Sequence, residues 1–195
     1  MKIKMLFAFA AIFGAFALAA AEPAAPAVVE VFANNNANAF KTVKLPALEL
    51  QEGEKAVLTF KAWLKSNTTA GWTYPLAVRL NGKVLNNANA MIRKEVVAEM
   101  GKNKVIEKMP LFDKKNQALV FYAKDITQPL DKRIISDREQ GFCFKLDVTD
   151  MVAADRENYL TLHNTRPLYS LRKIFKDPKY EFVICVSDIK LSVEK

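Results

Sequence analysis

The sequence GFCFKLDVTDMVAADRENYLTLHN, residues 141–164, contains two amphipathic segments joined by a short polar turn. In FCFKLDV, residues 142–148, apolar and polar residues alternate, which is the period of a strand with one buried face. In NYLTLHN, residues 158–164, the same alternation resumes. Thr149 lies where it can cap a short helical turn between the two segments. The stretch therefore predicts a strand, a helical turn and a returning strand.

Alternating segments recur along the rest of the chain. Asn81-Gly82, between PLAVRL and KVL, is typical of a two-residue hairpin turn with positive φ at both positions. Pro46 restricts the segment 40–50 to an edge strand or a bulged strand. At least seven short strands, punctuated by Asn, Gly and Pro, predict an all-β antiparallel β-sandwich with at most one or two short helices. The other predicted strands are residues 28–32, 56–65, 117–123 and 181–195.

Residues 86–101, NNANAMIRKEVVAEMG, leave two alternatives open. Their apolar spacing and the final Gly101 fit a short helix, whereas MIRKEVV also fits a strand. Two polar segments, residues 125–140 and 165–180, are long connections between strands. Connections of this length are either functional or simply long.

The N terminus predicts export. Two lysines precede an apolar run that ends in alanines, so we expect a signal peptide at residues 1–21, cleaved before Glu22. The run is too short and wrongly flanked for a stable membrane span, and an uncleaved anchor is the alternative. Residues 22–27, EPAAPA, form a Pro/Ala tether, and residues 28–195 suit a single domain. The protein is then secreted, periplasmic or part of the cell envelope.

The charge of the chain bears on its partners. The 195 residues carry a formal net charge of +8, and the chain stays basic without the predicted signal peptide, whose only charged residues are lysines. For an exported protein, nucleic acid is not an expected partner. An anionic envelope or an acidic polysaccharide suits the charge, and the plainer alternative is a solvated surface with scattered lysines.

Residues suited to catalysis are sparse. His163 is the only histidine, and it lies in a strand without a nucleophile motif, so an ordinary strand histidine is expected. Glu49, Glu52 and Glu54 straddle a strand end and a turn, which favours surface charge over a glycosidase pair. The chain has no glycine-rich phosphate loop, zinc-type Cys/His spacing or nucleophile elbow. We therefore expect a non-catalytic protein without a cofactor.

Cys143 and Cys185 are the only cysteines. Export permits a disulfide between them, but a bridge requires Cα atoms within about 7 Å. Cys143 falls on the polar face of its strand, and Cys185 shares a face with Val183, which fits a buried free thiol. A disulfide and two free thiols both remain open.

Four motifs, VRLNGKVL, FKLDVTDMV, ENYLTLHN and VSDIKLSVE, resemble in content and order those of the galactose-binding-like jelly rolls. That superfamily includes many carbohydrate-binding modules and the sugar-binding domains of family 2 glycosidases. The resemblance covers roughly residues 40–195 and implies a jelly roll that binds glycans or proteins through end loops or a concave face. In many relatives an acid near the last strand helps to hold a structural calcium, and Asp188 lies in a similar place. No matching N-terminal ligand set is recognisable, so calcium stays unassigned.

The predicted ligand-binding residues are aromatic or basic. Indole and phenol rings stack on sugars, and amide or guanidinium groups bind sugar hydroxyls. The loop SNTTAGWTY provides Trp72 and Tyr74, Trp63 lies on the more polar face of its strand, and Arg93 can donate hydrogen bonds. The alternatives are that Trp72 and Tyr74 plug the end of the sandwich and that Arg93 pairs with an acid.

We therefore expect an exported, non-catalytic domain that binds a glycan or a cell-envelope polysaccharide. A second hypothesis is a structural or adhesive protein that binds another envelope protein through the same sandwich. A secreted enzyme on the same fold is the third. A row of exposed aromatics with polar neighbours would favour a glycan, whereas a continuous apolar patch of several hundred Å² would favour a protein.

Overall fold

Two antiparallel sheets pack face to face, which confirms the predicted all-β sandwich. The structure is a computed structural model. It describes residues 28–33, 39–66, 73–92, 94–100, 103–109, 111–121, 141–166 and 181–195, with isolated residues between 172 and 179. The predicted signal peptide and tether lie outside the described residues. Within the described ranges, no helix is both long and apolar enough to span a membrane.

The chain forms eleven described strands. Sheet A contains, in spatial order, β1 (Val29–Phe32), β11 (Phe182–Glu194), β3 (Lys55–Ser66) and β9 (Phe142–Asp147). Sheet B contains β2 (Phe40–Leu45), β10 (Asn158–Asn164) and β4 (Thr73–Leu80), and the other edge of β4 pairs with both β5 (Lys83–Val84) and β8 (Gln117–Phe121). β6 (Lys94–Met100) pairs with β7 (Asn103–Met109) in a separate hairpin, and two 3-10 turns span Asn87–Asn89 and Thr149–Met151.

The strand pairs are nested. β1 pairs with β11, β2 with β10, β3 with β9 and β4 with β8, always antiparallel. Successive pairs alternate between sheet A and sheet B, so the chain behaves as one long antiparallel ribbon wrapped over itself. This is the topology of a jelly roll, a double-sheet arrangement that places the two halves of the chain side by side.

The core lies between the two sheets and follows directly from the strand alternation. On β3, every second residue from Ala56 to Leu64 points inward and is at most 2% exposed. Aromatic rings fill much of the space, with Phe60 stacked on Phe144 at a centroid distance of 4.6 Å. Each fully buried Leu, Val or Phe side chain contributes on the order of 1.5–3 kcal/mol. Burial of both inner faces therefore stabilises the sandwich.

A β-bulge divides β11. The register with β3 shifts between Ser187 and Lys190, and Asp188 takes a left-handed φ of 54°. The extra residue changes which alternate positions point inward, so Val186 before the bulge and Leu191 after it both reach the core. The alternation predicted for the C-terminal strand therefore holds on each side of the bulge separately.

The predicted Asn81-Gly82 hairpin is confirmed, with φ of 51° at Asn81 and 80° at Gly82. The side chain of Asn81 also connects two parts of the chain. Its Nδ2 donates to Asn158 Oδ1 at 2.6 Å, and its Oδ1 accepts from Tyr159 N at 2.9 Å. The turn residue thus anchors the start of β10.

Asn158 is fully buried, and its side chain is satisfied by hydrogen bonds on both sides. In addition to the bond from Asn81, its Oδ1 accepts from Ala153 N at 2.7 Å and its Nδ2 donates to Pro46 O at 2.7 Å. A buried amide is tolerated only when its donors and acceptors are paired. The asparagine that opens NYLTLHN therefore fastens three segments at one end of the sandwich.

The helical turn after β9 is present, but the prediction that Thr149 caps it is wrong. Val148 occupies the N-cap without a side-chain cap bond, and Thr149 lies inside the turn. Thr149 Oγ1 instead donates to Asp147 Oδ1 at 2.7 Å and accepts from Ala56 N at 3.1 Å. The hydrogen bond from Thr149 and the nearby Lys55 ammonium hold the pKa of Asp147 below its ordinary value. The hydroxyl of Thr149 is therefore occupied by the Asp147 carboxylate and the Ala56 backbone amide, and it does not cap the turn.

The ambiguous region 86–101 contains a strand, β6, and the helix alternative is wrong. Before that strand, Asn86 caps the first 3-10 turn, and Asn89 Nδ2 donates to Asp147 O at 2.9 Å. Met91 N donates to Lys145 O at 3.0 Å, so this segment runs along the outer edge of β9. The asparagine-rich segment before β6 is therefore ordered and hydrogen-bonded to the edge of sheet A.

Cys143 and Cys185 are both free thiols. They flank β3 from opposite sides, since Cys143 is opposite Lys61 and Cys185 is opposite Trp63. Two strand spacings across the sheet and two residues along β3 together place their Cα atoms roughly 12 Å apart, which exceeds the reach of a disulfide. Of the two alternatives left open by the sequence, free thiols are correct.

Candidate functional site

The outward-facing side chains of sheet B form a surface that we call face B. The register of β2, β10 and β4 arranges these side chains in rows, because residues directly opposite each other share a face. All are exposed or half-buried, whereas the inward-facing side chains of the same strands, except Lys41, are buried. From one end of the face to the other, the rows are Phe40, His163 and Ala77, then Thr42, Thr161 and Arg79, then Lys44 and Tyr159.

Phe40 is the most exposed aromatic side chain among the described residues, at 56%. Its ring lies 5.9 Å from the imidazole of His163, with an angle of 57° between the two planes. The imidazole therefore supports one side of the phenyl ring. An exposed ring held by a neighbour can stack on the apolar face of a ligand with little loss of side-chain freedom.

Tyr159, 41% exposed, lies at the other end of face B. Its hydroxyl donates to Glu157 Oε2 at 2.9 Å, and the same carboxylate oxygen lies 3.0 Å from Lys44 Nζ. Hydrogen bonding to Lys44 and then to Tyr159 lowers the pKa of Glu157. The same carboxylate raises the pKa of Lys44 and that of Tyr159. The three groups thus keep the phenol protonated and its ring oriented.

Phe40 and Tyr159 are far enough apart to contact different units of an extended ligand. Phe40 is opposite His163, which lies four residues from Tyr159 on β10. At about 3.4 Å per residue, the two rings are separated by roughly 14 Å along the strand. The hydroxyls of Thr42 and Thr161 and the guanidinium of Arg79 occupy the row between them.

The outward-facing side chains of sheet A, which we call face A, differ in their burial. Trp63 is only 6% exposed and Cys185 is 2% exposed, although both point away from the core between the sheets. Beside Cys185, Lys65 Nζ pairs with Glu30 Oε1 at 3.3 Å. Burial, reinforced by the charge of Glu30, raises the pKa of the Cys185 thiol to about 11.

Of the four ligand-binding residues predicted from the sequence, Tyr74 and Trp63 lie among the described residues. Tyr74 is 1% exposed and packs against Phe182 with ring centroids 4.7 Å apart. Arg166 lies over the same ring at 5.7 Å from its centroid. Contacts from both sheets favour the end-plug alternative for Tyr74.

Trp63 lies on the face that the alternation predicted, but its burial leaves little ring surface for stacking. Trp72 and Arg93 lie outside the described residues, and their binding roles stay predictions.

The described residues offer no cluster of three or more His, Cys, Asp and Glu side chains that could hold a metal ion. Asp188, which the resemblance connected with calcium, is exposed at the bulge of β11 and accepts a hydrogen bond from Ser187 Oγ at 2.9 Å. His163 is half-buried on face B beside Phe40.

Sequence reasoning missed Phe40 and Tyr159 as candidate binding residues. Both occupy polar-face positions of alternating segments, and Pro46 had already marked the Phe40 segment as an edge strand. An aromatic at an outward position of an edge strand was the available signal. The missing information was the pairing of β2 with β10, which places the two rings on one surface.

Comparison with protein-family models, with curated proteins and with solved structures finds no match to this chain. The resemblance to the galactose-binding-like jelly rolls therefore stays a prediction from four sequence motifs. The geometry of face B is the principal support for a functional conclusion.

Proposed function

We propose that this protein is an exported, non-catalytic carbohydrate-binding domain of the galactose-binding-like kind, and that face B is its binding surface. The observation that carries the proposal is the pair of exposed rings, Phe40 and Tyr159, separated by a row of hydroxyl and guanidinium groups. Sugars combine apolar C–H faces with hydroxyl edges, and rings with adjacent polar groups match both features.

The rigidity of face B supports the proposal. Its side chains are displayed on three hydrogen-bonded strands, and the two rings are held by His163 and Glu157. A surface that is already ordered loses less entropy when a ligand binds. Weak contacts with individual sugar units can then add up along an extended chain.

The distribution of exposed apolar groups favours a glycan over the alternative, an envelope protein partner. The exposed large apolar side chains of face B, Phe40, Val84 and Tyr159, lie in three different rows and on three different strands instead of in one patch. On face B itself, Thr42 and Thr161 lie between the ring of Phe40 and that of Tyr159. Binding of a protein with no response to glycans would support the alternative.

Binding to a glycan array tests the proposal, with the protein produced without residues 1–21. We expect the parent to bind at least one extended glycan, and Phe40→Ala or Tyr159→Ala to weaken that binding at least tenfold. A tenfold change in affinity corresponds to about 1.4 kcal/mol, which lies within the range of one aromatic stacking contact. The matched control is Met91→Ala, because Met91 is 37% exposed and is not part of face B.

Each variant also needs a chemical denaturation curve. Because Phe40 and Tyr159 are exposed, we expect their truncation to change the free energy of unfolding by no more than about 0.5 kcal/mol. The proposal is rejected if no glycan binds the parent, or if binding persists unchanged in the Phe40→Ala, Tyr159→Ala double variant.

A further inference from the structure

Arg79 is an exposed cation on face B for which the described part of the chain offers no partner. It lies on β4 between Thr161 on β10 and Val84 on β5. In the described part of the chain, its guanidinium makes no hydrogen bond and no ion pair. The other strand cation of face B, Lys44, is engaged by Glu157. Among the described residues, the guanidinium of Arg79 therefore has unused hydrogen-bonding capacity and uncompensated charge.

Arg79 lies in the middle row of face B, the surface proposed to bind a glycan. It shares a row with Thr161 and Thr42, and that row lies between the Phe40 end and the Tyr159 end. A ligand that contacts both rings must pass over this row. The guanidinium would then meet the polar edge of a sugar unit between the two stacked units.

The chemistry of Arg79 selects among glycans. A guanidinium presents its N–H groups in a planar fork that fits the two oxygens of a carboxylate, and the charge strengthens both hydrogen bonds. Neutral sugar hydroxyls do not provide two matched acceptors with a negative charge. The carboxylate of Glu157, at the Tyr159 end of face B, is already paired with Lys44 and Tyr159.

On this basis we infer that face B is specific for an acidic polysaccharide, with Arg79 binding the carboxylate of a uronic-acid unit between the units stacked on Phe40 and Tyr159. The inference rests on the proposed function and names its ligand class. The net charge of +8 is consistent with it, since long-range attraction raises the local concentration of a polyanion.

The experiment compares a panel of uronate polysaccharides, polygalacturonate, alginate and hyaluronate, with their carboxyl-reduced counterparts and with dextran sulfate. We expect the parent to bind at least one uronate polymer at least tenfold more tightly than its carboxyl-reduced form. Arg79→Gln should remove that difference while leaving binding to the reduced form unchanged. Arg79→Lys should restore part of the preference, because it keeps the charge and loses the fork.

Lys190→Gln is the matched control, since Lys190 is an exposed cation opposite Thr59 on face A and its loss removes the same net charge. If Lys190→Gln reduces uronate binding as much as Arg79→Gln, general attraction explains the effect and the inference is overturned. Equal binding to dextran sulfate or to the reduced polymers also overturns it, while the proposed function stands. Failure to bind any glycan, neutral or acidic, rejects both.

Discussion

Face A and face B come from strands with the same alternating pattern, yet they meet solvent very differently. Trp63 on face A is 6% exposed, whereas Phe40 on face B is 56% exposed. Both rings occupy outward positions of their strands, and the next outward position on each strand is polar, Lys61 and Lys65 beside Trp63 and Thr42 beside Phe40. Alternation therefore identifies the face of a strand on which a side chain lies, and it does not determine whether that face is open.

The contrast extends to the polar groups of the two faces. Cys185 and Ser187 on face A are almost completely buried, whereas Thr42 and Lys44 on face B are exposed. An aromatic ring on face A therefore serves stability, and a ring on face B is available to a ligand. Substitutions, thiol labelling and pH can test this difference between the two faces.

The largest expected effect on stability is at Trp63. Truncation of a buried tryptophan to alanine removes its packing and leaves a cavity, so Trp63→Ala should lower the free energy of unfolding by about 3–5 kcal/mol. Phe40→Ala is the paired variant on face B and should change it by no more than about 0.5 kcal/mol. Urea denaturation of both variants measures the two changes. Similar losses at the two positions would contradict the difference between the faces.

The reactivity of the two cysteines towards a thiol reagent tests the burial of side chains on face A. The thiolate is the reactive form, and burial raises the pKa of Cys185 to about 11, whereas Cys143 is exposed. At pH 8 a thiol reagent should label one cysteine in the folded protein and the second only after denaturation. Peptide mapping should place the first label on Cys143. Equal labelling of both thiols in the folded protein would show that this part of face A is open.

Substitution of Gly82 tests the hairpin turn that joins β4 to β5 at the edge of face B. Its φ of 80° is unfavourable for a β-branched residue, and a Cβ atom there would meet no neighbour within 4 Å, so strain in the backbone is the main cost. Gly82→Val should therefore lower the free energy of unfolding by roughly 1–2 kcal/mol. Gly82→Asn is the control and should cost less, because asparagine tolerates positive φ. An unchanged denaturation midpoint for the valine variant would contradict the turn assignment.

The smallest effect concerns pH. Because the pKa of Glu157 is lowered from its ordinary 4.5, the contacts of this carboxylate with Lys44 and Tyr159 are complete above about pH 5. They are lost as the pH falls through the lowered value. Glycan binding should therefore be constant from pH 6 to 9 and weaken a few-fold in stronger acid, where Glu157 is protonated. Glu157→Gln should show the weaker binding already at neutral pH. If the pH dependence of glycan binding is the same in that variant as in the parent, Glu157 does not contribute to binding.

Much of the fold could be predicted from local sequence. Alternation identified the inner faces of β3, β9 and β10, and Asn81-Gly82 identified a turn whose positive φ values few other residue pairs tolerate. These features depend on neighbouring residues only. The competing uses of one side chain were harder to predict, as Thr149 shows by bonding to Asp147 and Ala56 instead of capping the turn.

The candidate site depends on contacts between distant parts of the chain and was therefore missed. Phe40 and Tyr159 share a surface only because β2 pairs with β10, more than a hundred residues later. Likewise, the burial of Tyr74 depends on Phe182 from the other sheet and on Arg166. The composition of one loop favoured Trp72 and Tyr74 as binding residues. The pairing of the strands instead places Phe40, Tyr159 and Arg79 on one surface.

The most direct test of the account is the binding of an extended glycan, by isothermal titration calorimetry, to the parent and to the Phe40→Ala, Tyr159→Ala double variant. We expect measurable binding by the parent, loss of that binding in the double variant, and an unfolding midpoint that is nearly unchanged. A folded double variant that binds the glycan with the affinity of the parent would contradict the assignment of face B as the binding surface.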